Sequence, residues 1–234
     1  MPYTALLLDL DHTLLDSDAS EALAFAHALA AAGVAEPARH LPAYLAINRA
    51  LWAQVERGEI SPRHLRTERF AQLVAATGIV ASPAELADAF AYGLGAFGEL
   101  YPGVADLLDE LAADPTIALA IVTNGLSEVV RARVARLRLD RWFRTIVVSS
   151  ELGIAKPHPA IFDHALAALG APPRHAALVV GDSLSSDMRG GRNAGIATCW
   201  YNPHQKPGDA ALTDHEIADH AALLALVKRR SHAP

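Results

Sequence analysis

Leu6-Leu7-Leu8-Asp9-Leu10-Asp11-His12-Thr13-Leu14 is an apolar run that ends abruptly in two carboxylates two positions apart. A run this short, followed at once by polar residues, reads as a buried strand reaching the edge of its sheet. Side chains alternate along a strand, so Asp9 and Asp11 share one side while Leu10 faces away. Two carboxylates that close repel each other and are costly to desolvate, and a divalent cation relieves both problems. Taken singly, each acid also reads as a solvated loop residue or a helix cap. Further strands of the same kind shift the balance.

Three such strands follow. Ile117-Ala118-Leu119-Ala120-Ile121-Val122 ends at Thr123-Asn124-Gly125, Thr145-Ile146-Val147-Val148 precedes a loop carrying Lys156-Pro157, and Ala177-Leu178-Val179-Val180 ends at Gly181-Asp182-Ser183. Ile196-Ala197-Thr198-Cys199-Trp200 makes a fifth strand. Helical patterns near 103–113, 126–137, 159–169 and 185–194 alternate with them. This alternation predicts an α/β fold with a doubly wound parallel sheet, whose strand ends gather at one edge. Asp187, five residues beyond Asp182, falls in the first turn of the helix expected there.

From Ser17 to about Phe97 the pattern is different. Ala, Leu, Glu and Arg dominate, no strand is evident, and helices are predicted near 18–32, 38–56, 62–77 and 83–92. Ser61-Pro62 and Ser82-Pro83 have the form of an N-cap followed by a first-turn proline. The block therefore reads as a helical insert, with 1–16 and 99–234 forming the α/β core and 17–98 a cap. It joins the core near 14–17 and 97–102. Gly93-Leu94-Gly95-Ala96-Phe97-Gly98 fits G-x-G-x-x-G by letter, but it follows a helix and opens none, so it reads as a flexible exit from the block.

Composition narrows the possible functions. The 234 residues are 52% hydrophobic and 20% charged, an ordinary globular balance. A formal net charge of −6 argues against a nucleic-acid backbone binder. The single cysteine, Cys199, excludes an internal disulfide and a cysteine-built zinc site. Asp9 interrupts the N-terminal apolar run, and no run approaches a membrane-spanning length, so the expectation is a cytoplasmic protein without membrane contact. The eleven histidines include no H-E-x-x-H pair, and no Walker A, G-x-S-x-G or Cys-x-x-Cys motif occurs. Arg131, Arg133, Arg136, Arg138, Arg141 and Arg144 read as a solvated helix face.

The polar groups at the strand ends suit phosphoryl transfer. Asp9 and Asp182 can hold Mg²⁺, which favours one or two carboxylates plus substrate oxygens. Thr123 and Asn124 offer donors to phosphoryl oxygens, and Lys156 can neutralise charge developing on them. A carboxylate can attack phosphorus to form an aspartyl-phosphate.

Asp9-Leu10-Asp11-His12-Thr13, Thr123-Asn124-Gly125, Lys156-Pro157 and Gly181-Asp182 with Asp187 together resemble the four motifs of the haloacid-dehalogenase-like hydrolases, in order and in rough spacing. The helical insert resembles the cap of that superfamily's first subclass. The resemblance implies Asp9 as nucleophile and Asp11 as general acid, then base. It also implies Mg²⁺ held by Asp9, the Asp11 main-chain carbonyl and Asp182, with Asp187 a ligand or a support behind the ligands. One position departs from the pattern: the superfamily usually has glycine where this chain has His12. Histidine tolerates unusual φ better than most residues, so His12 reads either as a tolerated loop residue or as a group facing the leaving group.

A narrower resemblance rests on Ala46-Ile47-Asn48-Arg49-Ala50-Leu51-Trp52, on Glu56 with Gly58-Glu59-Ile60, on Arg69-Phe70 and on Ala194-Gly195-Ile196-Ala197-Thr198-Cys199-Trp200. These are similar to a nucleotidase subfamily whose members dephosphorylate pyrimidine and non-canonical nucleoside monophosphates. The expected substrate is a small phosphate ester, a nucleotide foremost, with Trp52 or Tyr44 as a surface for the base. Phosphoglycolate, a sugar phosphate, or a purely binding role are the alternatives.

Overall fold

The structure is a computed structural model that describes residues 3–231. The chain divides into two compact units. One comprises Met1–Asp16, Leu100–Asn124 and Arg138–Pro234; the other comprises Ser17–Glu99 and Gly125–Leu137.

The first unit is built on six parallel strands: β1 (Ala5–Leu8), β2 (Ala118–Thr123), β3 (Thr145–Val148), β4 (Ala177–Gly181), β5 (Ala197–Tyr201) and β6 (His215–Ile217), in the order β3-β2-β1-β4-β5-β6. Every residue of β1, β2 and β4 is buried, which is why these strands read as unbroken apolar runs. β1 lies between β2 and β4, with Leu8 in register with Ile121 on one side and Val180 on the other. The order of strands reverses at β1, so the crevice beyond its carboxyl end is the switch point where open α/β sheets hold ligands. Ile161, Phe162, Ala165 and Leu166 of the helix Pro159–Ala168 cover one face of the sheet together with Met188.

The sequence reading has five strands; the sixth, β6, and the helix His220–Ser231 complete this unit. β6 is three residues long and two of them, His215 and Glu216, are polar, so only its pairing with β5 identifies it. The expected helix near 185–194 is divided: Leu184–Met188 is a π-helical turn and Arg189–Asn193 an α-helix.

In the second unit, the helices Ser17–Ala31, Leu41–Glu56, Pro62–Thr77 and Pro83–Ala96 pack around Phe25, Tyr44, Phe70, Leu73 and Phe90. Ser61 and Ser82 cap their helices as read, accepting from the His64 and Glu85 amides at 3.1 and 3.4 Å. Residues 93–96 are not a flexible exit but the last turn of Pro83–Ala96. A Cβ on Gly93 would come within 2.8 Å of the Ala24 Cα, and one on Gly95 within 2.7 Å of the Ala132 Cβ. Close helix packing thus accounts for both glycines and outweighs their poor helix propensity.

The helix Ser127–Leu137 groups with this unit, and two of its arginines, Arg133 and Arg136, correct the reading of a solvated face, while Arg131, Arg138, Arg141 and Arg144 are exposed as read. Arg133 is buried; it donates to the Leu94 carbonyl at 2.8 Å and to the Ser20 hydroxyl at 3.3 Å. Arg136 donates to the carbonyls of Gly95 (3.2 Å), Phe97 (3.3 Å) and Gly98. Of these acceptors, the Leu94 and Gly95 carbonyls belong to the last turn of Pro83–Ala96, where a helix leaves its carbonyls without intrahelical donors. Among the described residues no helix is long and apolar enough to cross a membrane.

Candidate active site

Parallel pairing carries the ends of β1, β2 and β4 to one edge, and the polar residues that follow them meet there. Asp9 continues β1, its amide donating to the Val180 carbonyl at 2.9 Å. Its side chain accepts from Lys156 Nζ at 2.6 Å, and the same ammonium donates to Asp187 Oδ1 at 2.7 Å. Lys156, Asp9 and Asp187 are all buried. Asp187 Oδ2 accepts from the Ser183 amide at 3.1 Å, inside the π-helical turn that brings this carboxylate back toward β4. One carboxylate oxygen from each of Asp9, Asp182 and Asp187 lies within 4.8 Å of the others.

Burial pushes the Asp9 carboxyl well above the usual carboxylate range; Lys156 opposes this, and Asp187 and Asp182 add to it. Asp182 is pushed up to about 7, by burial first and then by Asp187. Burial alone would discharge Lys156, but Asp187 and Asp9 outweigh it and hold the ammonium above its ordinary pKa. Three carboxylates facing one ammonium leave an excess of two negative charges when all are ionised. A cluster of hard oxygen donors with that excess fits a divalent cation such as Mg²⁺.

The remaining site residues fall in different places. Thr123 ends β2 and is buried at this edge. The side chain of Asn124 meets the Lys156 backbone. Its Nδ2 donates to the Lys156 carbonyl at 3.0 Å and its Oδ1 accepts from the Lys156 amide at 2.9 Å. The amide thus fixes the backbone from which Lys156 reaches the carboxylates. Asp11 is half-buried in the turn after β1, and exposed His12 beside it adopts φ 57°, the left-handed conformation that glycine favours. The His12 amide donates to the Leu15 carbonyl at 3.1 Å, closing the turn.

Tyr44 is corrected. It is 0% exposed, with Phe25, Phe70 and Phe90 ring centroids at 4.6, 5.7 and 5.5 Å, so its faces are taken by core packing. Its hydroxyl donates to Glu21 at 2.9 Å, in a buried network where Asn48 Nδ2 also reaches Glu21 (2.5 Å) and Arg69 reaches Asn48 Oδ1 (3.2 Å). Trp52 is half-buried on the helix Leu41–Glu56. One supporting residue carried no sequence signal of its role: Trp200 Nε1 donates to the Asp182 carbonyl at 2.8 Å from the neighbouring strand. Cys199 is buried and its thiol is pushed up to about 12, which leaves it inert as a nucleophile.

Residues 3–195 match the family described as haloacid dehalogenase-like hydrolase. The pyrimidine 5′-nucleotidase PynA of Streptococcus pneumoniae is 36% identical over 87% of this chain and 86% of its own length. The pyrimidine 5′-nucleotidase YjjG of Escherichia coli is 37% identical over 70% of this chain and 71% of its own. Among solved structures, the HAD-hydrolase YfnB of Bacillus subtilis bound to magnesium superposes with a TM-score of 0.89 at 31% identity, covering 97% of this chain and 99% of that one. The chain belongs to the haloacid dehalogenase-like hydrolases.

Proposed function

We propose that this hydrolase is a Mg²⁺-dependent phosphomonoesterase that acts on nucleoside 5′-monophosphates, pyrimidine nucleotides foremost, through an aspartyl-phosphate on Asp9. The observation that carries the reading is the buried cluster in which Lys156 bridges Asp9 and Asp187 beside Asp182. The two nucleotidases similar to this chain support the choice of substrate.

In the proposed reaction the Asp9 carboxylate attacks phosphorus while the ester oxygen leaves. Asp11 gives that oxygen its proton, so the departing group is an alcohol. Asp11, now ionised, takes a proton from water, whose oxygen attacks the phosphoryl group and restores Asp9. Lys156 offsets negative charge on the transferring group, from a position already fixed by Asn124. Thr123, at the same sheet edge, supplies a hydroxyl for a phosphoryl oxygen. Asp9, Asp182 and the Asp11 carbonyl, supported or joined by Asp187, would hold Mg²⁺, which supplies charge neutralisation on the phosphoryl oxygens.

These groups serve every phosphate monoester alike, so they do not choose among alcohols. We assign that choice to residues 17–98 acting as a cap, with Trp52 as the remaining aromatic candidate. Expected kcat/KM for dUMP or dTMP exceeds that for phosphoglycolate or a hexose phosphate by at least roughly tenfold, about 1.4 kcal/mol of transition-state discrimination. Chelator should abolish all of these activities, and a 2-chloro acid should release no chloride. A panel headed by phosphoglycolate or a sugar phosphate would overturn the nucleotide assignment alone. Metal-independent chloride release would overturn the phosphatase assignment.

A further inference from the structure

The turn that carries Asp11 is held from outside at several points, and one of the residues that hold it lies 207 positions from Thr13 in the chain. Within the turn, the Leu14 and Leu15 amides both donate to the Leu10 carbonyl, at 3.0 and 2.9 Å. The carbonyls of Thr13 and Leu14 are met by donors from outside the turn, as a buried main-chain acceptor without a donor is costly. The Tyr101 amide supplies the Leu14 carbonyl at 2.9 Å. The Thr13 carbonyl, on a residue only 1% exposed, is supplied at 2.7 Å by the Nε2 of His220, 207 positions away.

His220 is built to make this bond. It begins the helix His220–Ser231 that follows β6, and it is buried. Its ring lies 4.6 Å from that of Tyr201 at 32° and 6.0 Å from that of Tyr101 at 33°. Two aromatic neighbours therefore fix the imidazole plane and aim Nε2 at the carbonyl. A carbonyl only accepts, so Nε2 must carry the hydrogen. Burial also lowers the pKa of this imidazole, which fits the neutral ring.

We infer that His220 is a positioning residue for the reaction: its Nε2–H holds the Thr13 carbonyl and thereby fixes the turn that presents Asp11 to the leaving-group oxygen. The inference rests on the phosphatase reading above. It has a consequence that mere packing does not share. Misplacing the acid matters most where the leaving group needs a proton, as the alcohol of a nucleotide does. It matters little where the leaving group departs unaided, as 4-nitrophenolate does.

The test compares His220→Met with His220→Gln. The two side chains have similar length and helix propensity, and only glutamine keeps a donor at the reach of Nε2. For H220M, kcat/KM on a nucleoside 5′-monophosphate should fall about tenfold, and on 4-nitrophenyl phosphate by less than about threefold. H220Q should stay near the parent protein on both. Amide hydrogen exchange of Leu14 and Leu15 should quicken in H220M and not in H220Q.

Unchanged kinetics and exchange in H220M would overturn the inference, as would equal losses in H220M and H220Q. Should H220M not fold, H220N replaces it, because its amide falls short of Thr13; the same losses are expected, and parent-like behaviour overturns the inference. If the parent protein hydrolyses no phosphate ester, the phosphatase reading fails by itself. The exchange measurement then still decides whether His220 holds the turn.

Discussion

Asp9→Asn should reduce turnover of every phosphate ester by at least on the order of 10⁴, the scale on which loss of a covalent nucleophile is felt. An amide does not attack phosphorus, and it is a poorer ligand for Mg²⁺ than a carboxylate. The fold should survive. Burial holds the Asp9 carboxyl above its ordinary pKa, so its protonated form is favoured in the folded protein more than in the unfolded chain. At neutral pH the ionised carboxylate therefore costs some stability, and a neutral amide removes that cost. Lys156 retains Asp187 at 2.7 Å as a partner. Melting of the Asn variant without added metal should occur at or above the parent temperature, while its kcat is lost. A purified Asn variant with near-parent kcat would remove Asp9 from the nucleophile's role.

Lys156→Ala should show the second-largest effect, and in two measurements at once. Loss of a preorganised cation at the transferring group is expected to lower kcat by on the order of 10²–10³. Two carboxylates, both buried, also lose the ammonium that lies 2.6 and 2.7 Å from them. Removing one partner of a buried ion pair typically costs about 3–5 kcal/mol. Chemical denaturation should register this destabilisation, and Mg²⁺ should reverse part of it by binding the carboxylates in the folded state. Unchanged kcat in a destabilised variant would leave Lys156 a structural role only.

The residues that the sequence made legible are those whose signal is local. The buried strands announce themselves by runs such as Leu6-Leu7-Leu8 and Ala177-Leu178-Val179-Val180, and the polar residue that ends each run is its neighbour in the chain. A parallel sheet then brings Asp9, Thr123 and Asp182 to one edge without further information. Ser61 and Ser82 were legible for the same reason, since an N-cap acts on an amide three residues ahead.

What stayed illegible depends on partners distant in sequence. Nothing near Asn124 in the sequence says that its side-chain amide holds the Lys156 backbone, 32 positions away. Arg133 and Arg136 look solvated until carbonyls of residues 94–98 meet them. Gly93 and Gly95 break a helix by propensity and permit close packing in fact. Tyr44 is as good a stacking surface as Trp52 on paper; its burial against three phenylalanines decides against it. The helix His220–Ser231 did leave a local trace, Leu223 and Val227 four positions apart and both buried, but nothing in that trace says that His220 reaches Thr13.

The central claim is that the phosphoryl group passes through Asp9, and chemical trapping tests it most directly. The protein is mixed with Mg²⁺ and a nucleoside 5′-monophosphate, quenched during turnover with borohydride to reduce any acyl phosphate, and mapped by peptide mass. Conversion of residue 9 from aspartate to homoserine, dependent on both substrate and Mg²⁺, is the expected result. Sustained turnover with residue 9 unmodified, or with the modification on another carboxylate, would contradict it.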